Sequence, residues 1–378
     1  MEALMQTVVV LGGYGQFGRH IVERLAHDAA LTIVVVGRDE SKARAWIETI
    51  ASAAKATLLP HAVALNPVSF QQLLLQYAPK VCINTVGPFQ AAQYDYPRLC
   101  IQHQVHYLDL ADARDYVDGF SVLDAQAKQA KVCLLTGVST VPALSSVVLD
   151  TLTPKFSALA EVDYCIAPGN QTDRGEATVA AILSYVGQAF SQWREGRWRS
   201  VFGWQGAVKK RWRSGMTSRW VSYCDIPDLS LFPSRYPGMQ TVVFRAGLEL
   251  PLLHWGLWLM SWLTRFRVVK NWQVYAPVLT RISRWFQRFG SDVGGMQVTL
   301  SGSDNDGKPI IWCWELVAAG GDGPNIPAIP AVVLCRKLLT ENQMESGAGA
   351  CLGRFTLAEF YEEVADLNIR FDCYEYQR

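Results

Sequence analysis

The sequence predicts an α/β protein, a Rossmann-type doubly wound parallel sheet followed by a second α+β domain with a mixed or antiparallel sheet. Three observations carry this. Short apolar runs alternate with amphipathic segments of helical period through the first 150 residues. A glycine-rich turn separates the first apolar run from the first helical segment. Beyond residue 150, strand-like segments and a hairpin replace that alternation.

Thr7 to Leu11 is continuously apolar, as a strand covered on both faces must be. Gly12-Gly13-Tyr14-Gly15-Gln16-Phe17-Gly18 follows, then a helix with Ile21, Val22 and Leu25 on one face. The spacing Gly13-x-Gly15-x-x-Gly18, between strand and helix, is the dinucleotide fingerprint. Gly13 is expected to make the tight turn and Gly15 to let the backbone approach a pyrophosphate. Gly18 would let helix and strand pack closely, with the helix N-terminus facing the anion. A second strand, Leu31 to Val36, ends in Gly37-Arg38-Asp39-Glu40-Ser41-Lys42. An NAD site usually has an acid at this tip to hold the ribose hydroxyls. Here a guanidinium follows a glycine, and Arg38 with Ser41 and Lys42 suits a 2′-phosphate. NADP is therefore the expected cofactor over NAD. The competing reading has Asp39 on the ribose and Arg38 in water.

Strands are expected at Thr57–Leu65 (interrupted by Pro60), Val81–Val86, Val105–Leu110 and Val132–Thr136, with helices at Val68–Tyr77, Pro97–Gln104 and Arg114–Gln129. In such a sheet ligands bind beyond the C-terminal strand ends. This places Val86–Phe89, Asp109–Asp112 and Gly137–Thr140 along one rim. Later strands are expected at Leu159–Ile166, Thr241–Leu248 and Ile369–Tyr374, with a hairpin of Gln297–Leu300 and Ile310–Leu316 around Asp304-Asn305-Asp306-Gly307. Helices are expected at Pro330–Leu339 and Thr356–Val364.

Together, Leu11–Gly18, Gly37-Arg38, Ile83-Asn84-Thr85-Val86-Gly87-Pro88-Phe89 and Tyr107-Leu108-Asp109-Leu110 resemble the saccharopine dehydrogenase family, and in particular its bacterial saccharopine dehydrogenase-like oxidoreductases. The resemblance covers residues 6 to 150 and is looser beyond. It implies an NADP-binding domain (1–150), an α+β substrate or dimerisation domain (151–320) and a C-terminal segment (321–378) that returns to the first domain. Position by position, it implies that Gly13, Gly15 and Gly18 cradle the pyrophosphate, with Tyr14, Gln16 and Phe17 among the expected cofactor-binding residues. Arg38 would hold the adenosine end, and Val86, Gly87 and Pro88 would line the nicotinamide side. Asp109-Leu110-Ala111-Asp112-Ala113-Arg114 departs from the corresponding loop of the enoyl reductase relatives, so no substrate carries over.

Composition narrows the rest. Lys plus Arg (35) nearly balances Asp plus Glu (34), which argues against a basic nucleic-acid coat. Nine cysteines without a C-x-x-C pair read as reduced thiols in a cytoplasmic protein, and no metal site is expected. No secretory signal is expected at Met1 to Gln6. Tyr-x-x-x-Lys, G-x-S-x-G and P-loop signatures are absent.

A proton donor would come from His106, Tyr107, Asp109, Asp112 or Arg114 on the rim, or from Asp173, Arg174 or Glu176 beyond it. Asp109 at a strand tip is the candidate catalytic residue, against the alternative that it caps the following turn.

The middle third is unusual. Ten of 13 tryptophans fall between Trp193 and Trp285, interleaved with arginines and lysines. Core packing with an ion-paired face, a surface for an anionic or acyl substrate, and peripheral membrane contact all fit; nucleic acid is not expected. Leu252–Leu263 is apolar around nearly its whole helical circumference. It is read first as core or homodimer-interface packing and second as a membrane-interface segment.

Overall fold

Strand β1 (Gln6–Leu11) can be almost wholly apolar because it lies near the middle of a parallel sheet, paired with β2 on one side and β4 on the other. The computed structural model describes residues 5–90, 92–172, 176–340 and 344–376, with only the backbone of 176–178. Asp173 and Arg174 therefore lie outside the described residues.

In chain order, β1 is followed by α1 (Gly18–Leu25), β2 (Leu31–Gly37), α2 (Glu40–Ile50), β3 (Thr57–Ala62), α3 (Pro67–Tyr77) and β4 (Val81–Asn84). Then come α4 (Asp95–Gln102), β5 (His106–Asp109), α5 (Arg114–Gly119), α6 (Asp124–Ala130) and β6 (Cys133–Thr136). The next elements are α7 (Ser145–Leu152), β7 (Ala158–Ala167), α8 (Glu176–Tyr185), β8 (Ala189–Arg194), β9 (Arg197–Phe202), β10 (Val208–Lys210) and β11 (Arg219–Tyr223). They continue with α9 (Asp228–Arg235), β12 (Thr241–Leu248), α10 (Pro251–Arg265), α11 (Ala276–Phe286), β13 (Gly294–Ser303) and β14 (Pro309–Ala318). The chain closes with α12 (Ile329–Leu339), β15 (Gly347–Ala350), α13 (Leu357–Glu363) and β16 (Ile369–Glu375).

The chain divides into two units. One runs up to Leu144 and adds Pro324–Glu363; the other is Ser145–Gly323 with Val364 onward. The C-terminal stretch is thus split between them. In the first unit a parallel sheet has the order β15-β6-β5-β4-β1-β2-β3. The order reverses between β1 and β4, which makes the crevice above these two strands the topological switch point. Pro60, which breaks the apolar pattern of the third strand, sits opposite Val35 on the edge strand β3, where a missing N–H is tolerated. Helix α12 packs on β4, β5 and α1 and buries nine of its 11 residues, Ile329 through Cys335 with Leu338 and Leu339. The segment expected as one helix, Arg114–Gln129, is broken by a 3-10 turn at Phe120–Leu123.

The second unit has a seven-stranded mixed sheet, β10-β11-β12-β7-β13-β14-β16, in which β7 and β12 run parallel and the other neighbours antiparallel. A separate hairpin, β8–β9, turns at Glu195-Gly196 with φ of 52° and 70°, the pair of left-handed residues that a two-residue turn needs to match strand twist.

Candidate nucleotide-binding site

The loop between β1 and α1 is built by close backbone contacts at the switch point. Gly12, rather than Gly13, carries the left-handed backbone, with φ of 75°. A Cβ on Gly12 would lie 2.6 Å from Thr85 Oγ1, so this turn rests against the segment leaving β4. Thr85 Oγ1 donates to Leu11 O at 2.8 Å, which ties the two strand ends together. Gly13 is needed for contact: its Cβ would meet Val35 Cγ1 at 2.9 Å. At Gly18 a Cβ would fall 2.1 Å from Gly12 O, so the helix enters against the turn's own backbone. Gly15 differs. Its N–H closes the turn on Gly12 O at 2.8 Å, and a Cβ would meet only the Gly12 carbonyl, its O at 3.0 Å, within 4 Å. One side of this residue is open for the approach of a phosphate, as the fingerprint requires. Gln16 and Phe17 are half-buried, and Phe17 stands at the N-cap of α1.

The tip of β2 has a steric reason to be glycine. A Cβ on Gly37 would lie 2.0 Å from Tyr14 Cε1, inside the ring. Tyr14 OH accepts the Asp39 N–H at 3.1 Å, which pins the ring over the strand end. The position where NAD sites carry an acid is therefore closed to any side chain. Asp39 is no substitute, because its carboxylate caps α2. It accepts from Lys42 N at 3.2 Å and from Ser41 Oγ at 2.6 Å, and the Lys42 ammonium stands 4.0 Å away. The Ser41 hydrogen bond, with these neighbours, holds Asp39 below the usual carboxylate range. Arg38 is exposed. Ser41 and Lys42 adjoin Arg38, but both bond to Asp39.

On the other side of the crevice, Val86, Gly87 and Pro88 are exposed at the end of β4. Val86 N donates to Asn84 Oδ1 at 2.9 Å, and Asn84 Nδ2 donates to the buried Tyr107 OH at 3.0 Å. Asp109, the candidate catalytic residue, ends β5. It is fully buried, and its Oδ1 accepts from Thr136 Oγ1 (2.7 Å), Ala111 N (3.0 Å) and Gly137 N (3.1 Å). These bonds tie the turn after β5 to the loop after β6. Burial pushes its carboxyl up to about 6. His106 is also structural: Nδ1 accepts Cys133 N at 2.9 Å, and burial with the nearby Lys80 charge lowers it to about 4. Asp112 is exposed, 3.4 Å from Gln90 Nε2. Sequence reasoning missed the roles of Thr85 and Thr136, although Thr85 stood within the quoted Asn-Thr-Val-Gly segment.

The tryptophan- and arginine-rich region of the second unit divides in two. Trp204 and Trp212 are core. Arg219 pairs with Glu249 (2.9 Å), and Arg245 and Lys210 both pair with Asp163 (2.5 and 3.1 Å). The α10–α11 segment instead leaves large apolar side chains in solvent. A mostly apolar cavity of about 210 Å³ lies among α8, α10 and α11, lined by residues such as Leu183, Leu253 and Leu257. Elsewhere in the unit, a buried Asp228 accepts from Ser145 Oγ (2.5 Å) and Tyr164 OH (2.7 Å), and burial raises it to about 7. Among the described residues no cluster of ligating side chains would hold a metal ion, and no helix is long and apolar enough to cross a membrane.

The family model described as the saccharopine dehydrogenase NADP binding domain matches residues 8–135. The chain matches none of the curated proteins with which it was compared. Its fold is similar to that of apo saccharopine dehydrogenase (L-Glu forming) from Saccharomyces cerevisiae, at 12% identity and a TM-score of 0.68, covering 98% of this chain and 100% of that one. A meso-DAPDH variant from Clostridium tetani aligns at 13% identity over 96% and 99% of the two chains, with a TM-score of 0.49. Residues 8–135 thus form a saccharopine dehydrogenase-type NADP-binding domain, and the cofactor is NADP.

Proposed function

We propose that the chain is an NADP-dependent oxidoreductase that moves a hydride between the nicotinamide and a C=N, C=O or conjugated C=C bond of a small substrate with an anionic or acyl part. One observation carries this: the β2 tip is closed by the Tyr14 ring, its neighbouring acid is committed to a helix cap, and Arg38 stands exposed beside it. When bound, the nicotinamide supplies or accepts the hydride. The chain's residues bind and orient. The Gly13–Gly18 backbone, with Tyr14, Gln16 and Phe17, would hold the pyrophosphate at the N-terminus of α1. The Arg38 guanidinium would pair with the 2′-phosphate, with Ser41 and the Lys42 ammonium adjoining. Val86, Gly87 and Pro88 would border the nicotinamide. Asp109 acts as a positioning residue that fixes the loops after β5 and β6. The second unit is the candidate for substrate binding or dimerisation.

Titration of the purified protein with NADPH and NADH, repeated on Arg38→Ala, tests this. Loss of a charge-assisted pair worth about 1.5–3 kcal/mol should weaken NADPH roughly 10- to 150-fold and leave NADH unchanged. Equal weakening of both nucleotides would remove Arg38 from the 2′-phosphate. Failure of either to bind below about millimolar would remove the oxidoreductase reading. Imines, carbonyls and enoyl thioesters then form the substrate screen, followed by loss of NADPH absorbance.

A further inference from the structure

Helix α10 is turned inside out. Apart from the terminal Arg265, its polar residues face the unit's interior: His254 and Ser261 are 0% exposed and Thr264 is buried. Its opposite face presents Leu252 (68% exposed), Trp255 and Leu259 (58%) to solvent, three or four residues apart along one helical stripe. His254 Nε2 lies 3.0 Å from Ser222 Oγ, and Ser261 Oγ donates to Trp258 O at 2.6 Å. Helix α11 repeats the inversion, with Thr280 buried and Val278, Ile282 and Trp285 (70%) outward. The connection between the helices exposes Phe266 (70%), Val268 and Val274. An apolar outward face of this extent marks an interaction surface, since water gives no reason to keep polar groups in and tryptophan out.

Charge identifies the occupant. From Leu250 to Ser291 the sequence holds Arg265, Arg267, Lys270, Arg281, Arg284 and Arg288 and no carboxylate at all. All six cations are exposed, and no ion pair to any of them occurs among the described residues. A second copy of this chain would bring the same cations together across a two-fold axis. An anionic lipid surface matches both features, accepting the leucine, tryptophan and phenylalanine side chains at the acyl boundary and the arginines among its headgroups. We propose that the α10–α11 segment docks the protein peripherally on an anionic membrane, lying on the bilayer without crossing it.

The test is flotation of the full chain with phosphatidylcholine vesicles, with and without phosphatidylserine, at low and high salt. Phosphatidylserine-dependent binding that salt weakens is the expected result. Leu259→Glu combined with Trp285→Glu should abolish it. Both sites are exposed, so circular dichroism and NADPH binding should match wild type. Arg281→Glu, Arg284→Glu and Arg288→Glu together should weaken binding at least about a hundredfold. Absence of binding to either vesicle overturns the proposal. So does a wild-type dimer in sizing chromatography that the Leu259→Glu/Trp285→Glu variant converts to monomer, because a second copy then covers the face. Neither outcome depends on whether the first unit turns over a substrate.

Discussion

The packing of Tyr14 on Gly37 predicts that the smallest possible side chain at the β2 tip will damage cofactor binding. In Gly37→Ala the new Cβ would stand 2.0 Å from Tyr14 Cε1 and 2.4 Å from Cζ. Carbon atoms pack at about 3.5–4.0 Å, so the ring must move by roughly 1.5 Å. That movement breaks the 3.1 Å bond from Asp39 N to Tyr14 OH. Overpacking costs about 1–3 kcal/mol and the lost hydrogen bond about 1 kcal/mol. The combined cost is roughly 2–4 kcal/mol, shared between stability and the ability of the loop to hold a pyrophosphate. Thermal unfolding together with NADPH titration measures both shares. Tyr14→Ala/Gly37→Ala removes the obstruction and should recover much of the stability. Tyr14→Ala/Gly37→Asp opens space for a carboxylate and should shift preference from NADPH toward NADH. A Gly37→Ala protein with wild-type melting temperature and wild-type NADPH affinity would refute the steric argument.

Two further outcomes follow from buried carboxyls. Asp228, raised to about 7 from an ordinary 3.8, favours the protonated form in the folded state. Below about pH 4 it is protonated folded and unfolded alike. As pH rises from about 4 to about 7 the unfolded chain ionises first, so stability falls, by about 4 kcal/mol at 1.36 kcal/mol per unit. Asp228→Asn should therefore flatten this part of the pH profile in denaturant melts and be more stable than wild type at pH 8; an unchanged profile would contradict it. Asp109→Ala would leave Ala111 N, Gly137 N and Thr136 Oγ1 without their acceptor, at about 1–3 kcal/mol for each buried group. Asp109→Asn keeps the Oδ1 acceptor and should retain NADPH affinity close to wild type, whereas a large loss in that variant would argue for direct contact with the cofactor.

Much of the first unit was legible because its strands are covered on both faces and must be apolar. Val8–Val10, Ile33–Val36 and Val81–Ile83 are all buried, and each stood out as a run. Strand β15 did not. Gly347-Ala348-Gly349-Ala350 has no β-forming side chain, and it joins β6 through its backbone, with Gly347 close against α6, where a Cβ would lie 2.6 Å from Asp124 Oδ1. Strands β8 and β9 were hidden differently. Consecutive polar Ser191-Gln192 and consecutive apolar Val201-Phe202 break the alternation, and the pairing depends on the left-handed Glu195-Gly196 turn. At the site, glycine spacing located the loop, but spacing alone could not distinguish Gly12 from Gly13 as the left-handed residue. That depends on Thr85, 73 residues away in sequence and in contact only once β1 and β4 pair.

Asp109 and α10 share a lesson about polarity read without partners. A carboxylate at a strand tip suggests chemistry on the rim, yet its acceptors were wanted inside, by the Ala111 and Gly137 amides that open two adjoining loops. An apolar helix suggests burial, yet α10 has few polar residues, and apart from the terminal Arg265 they are the ones the interior uses. Ser222 needs a partner for its hydroxyl and finds His254, whose imidazole burial lowers to about 4 and so keeps neutral near pH 7. Once His254, Ser261 and Thr264 define the inward face, helical geometry sends Leu252, Trp255 and Leu259 outward. The same hydrophobicity that reads as core in the sequence thus becomes, by the placement of three polar side chains, the surface of the second unit with the strongest physical need for a partner.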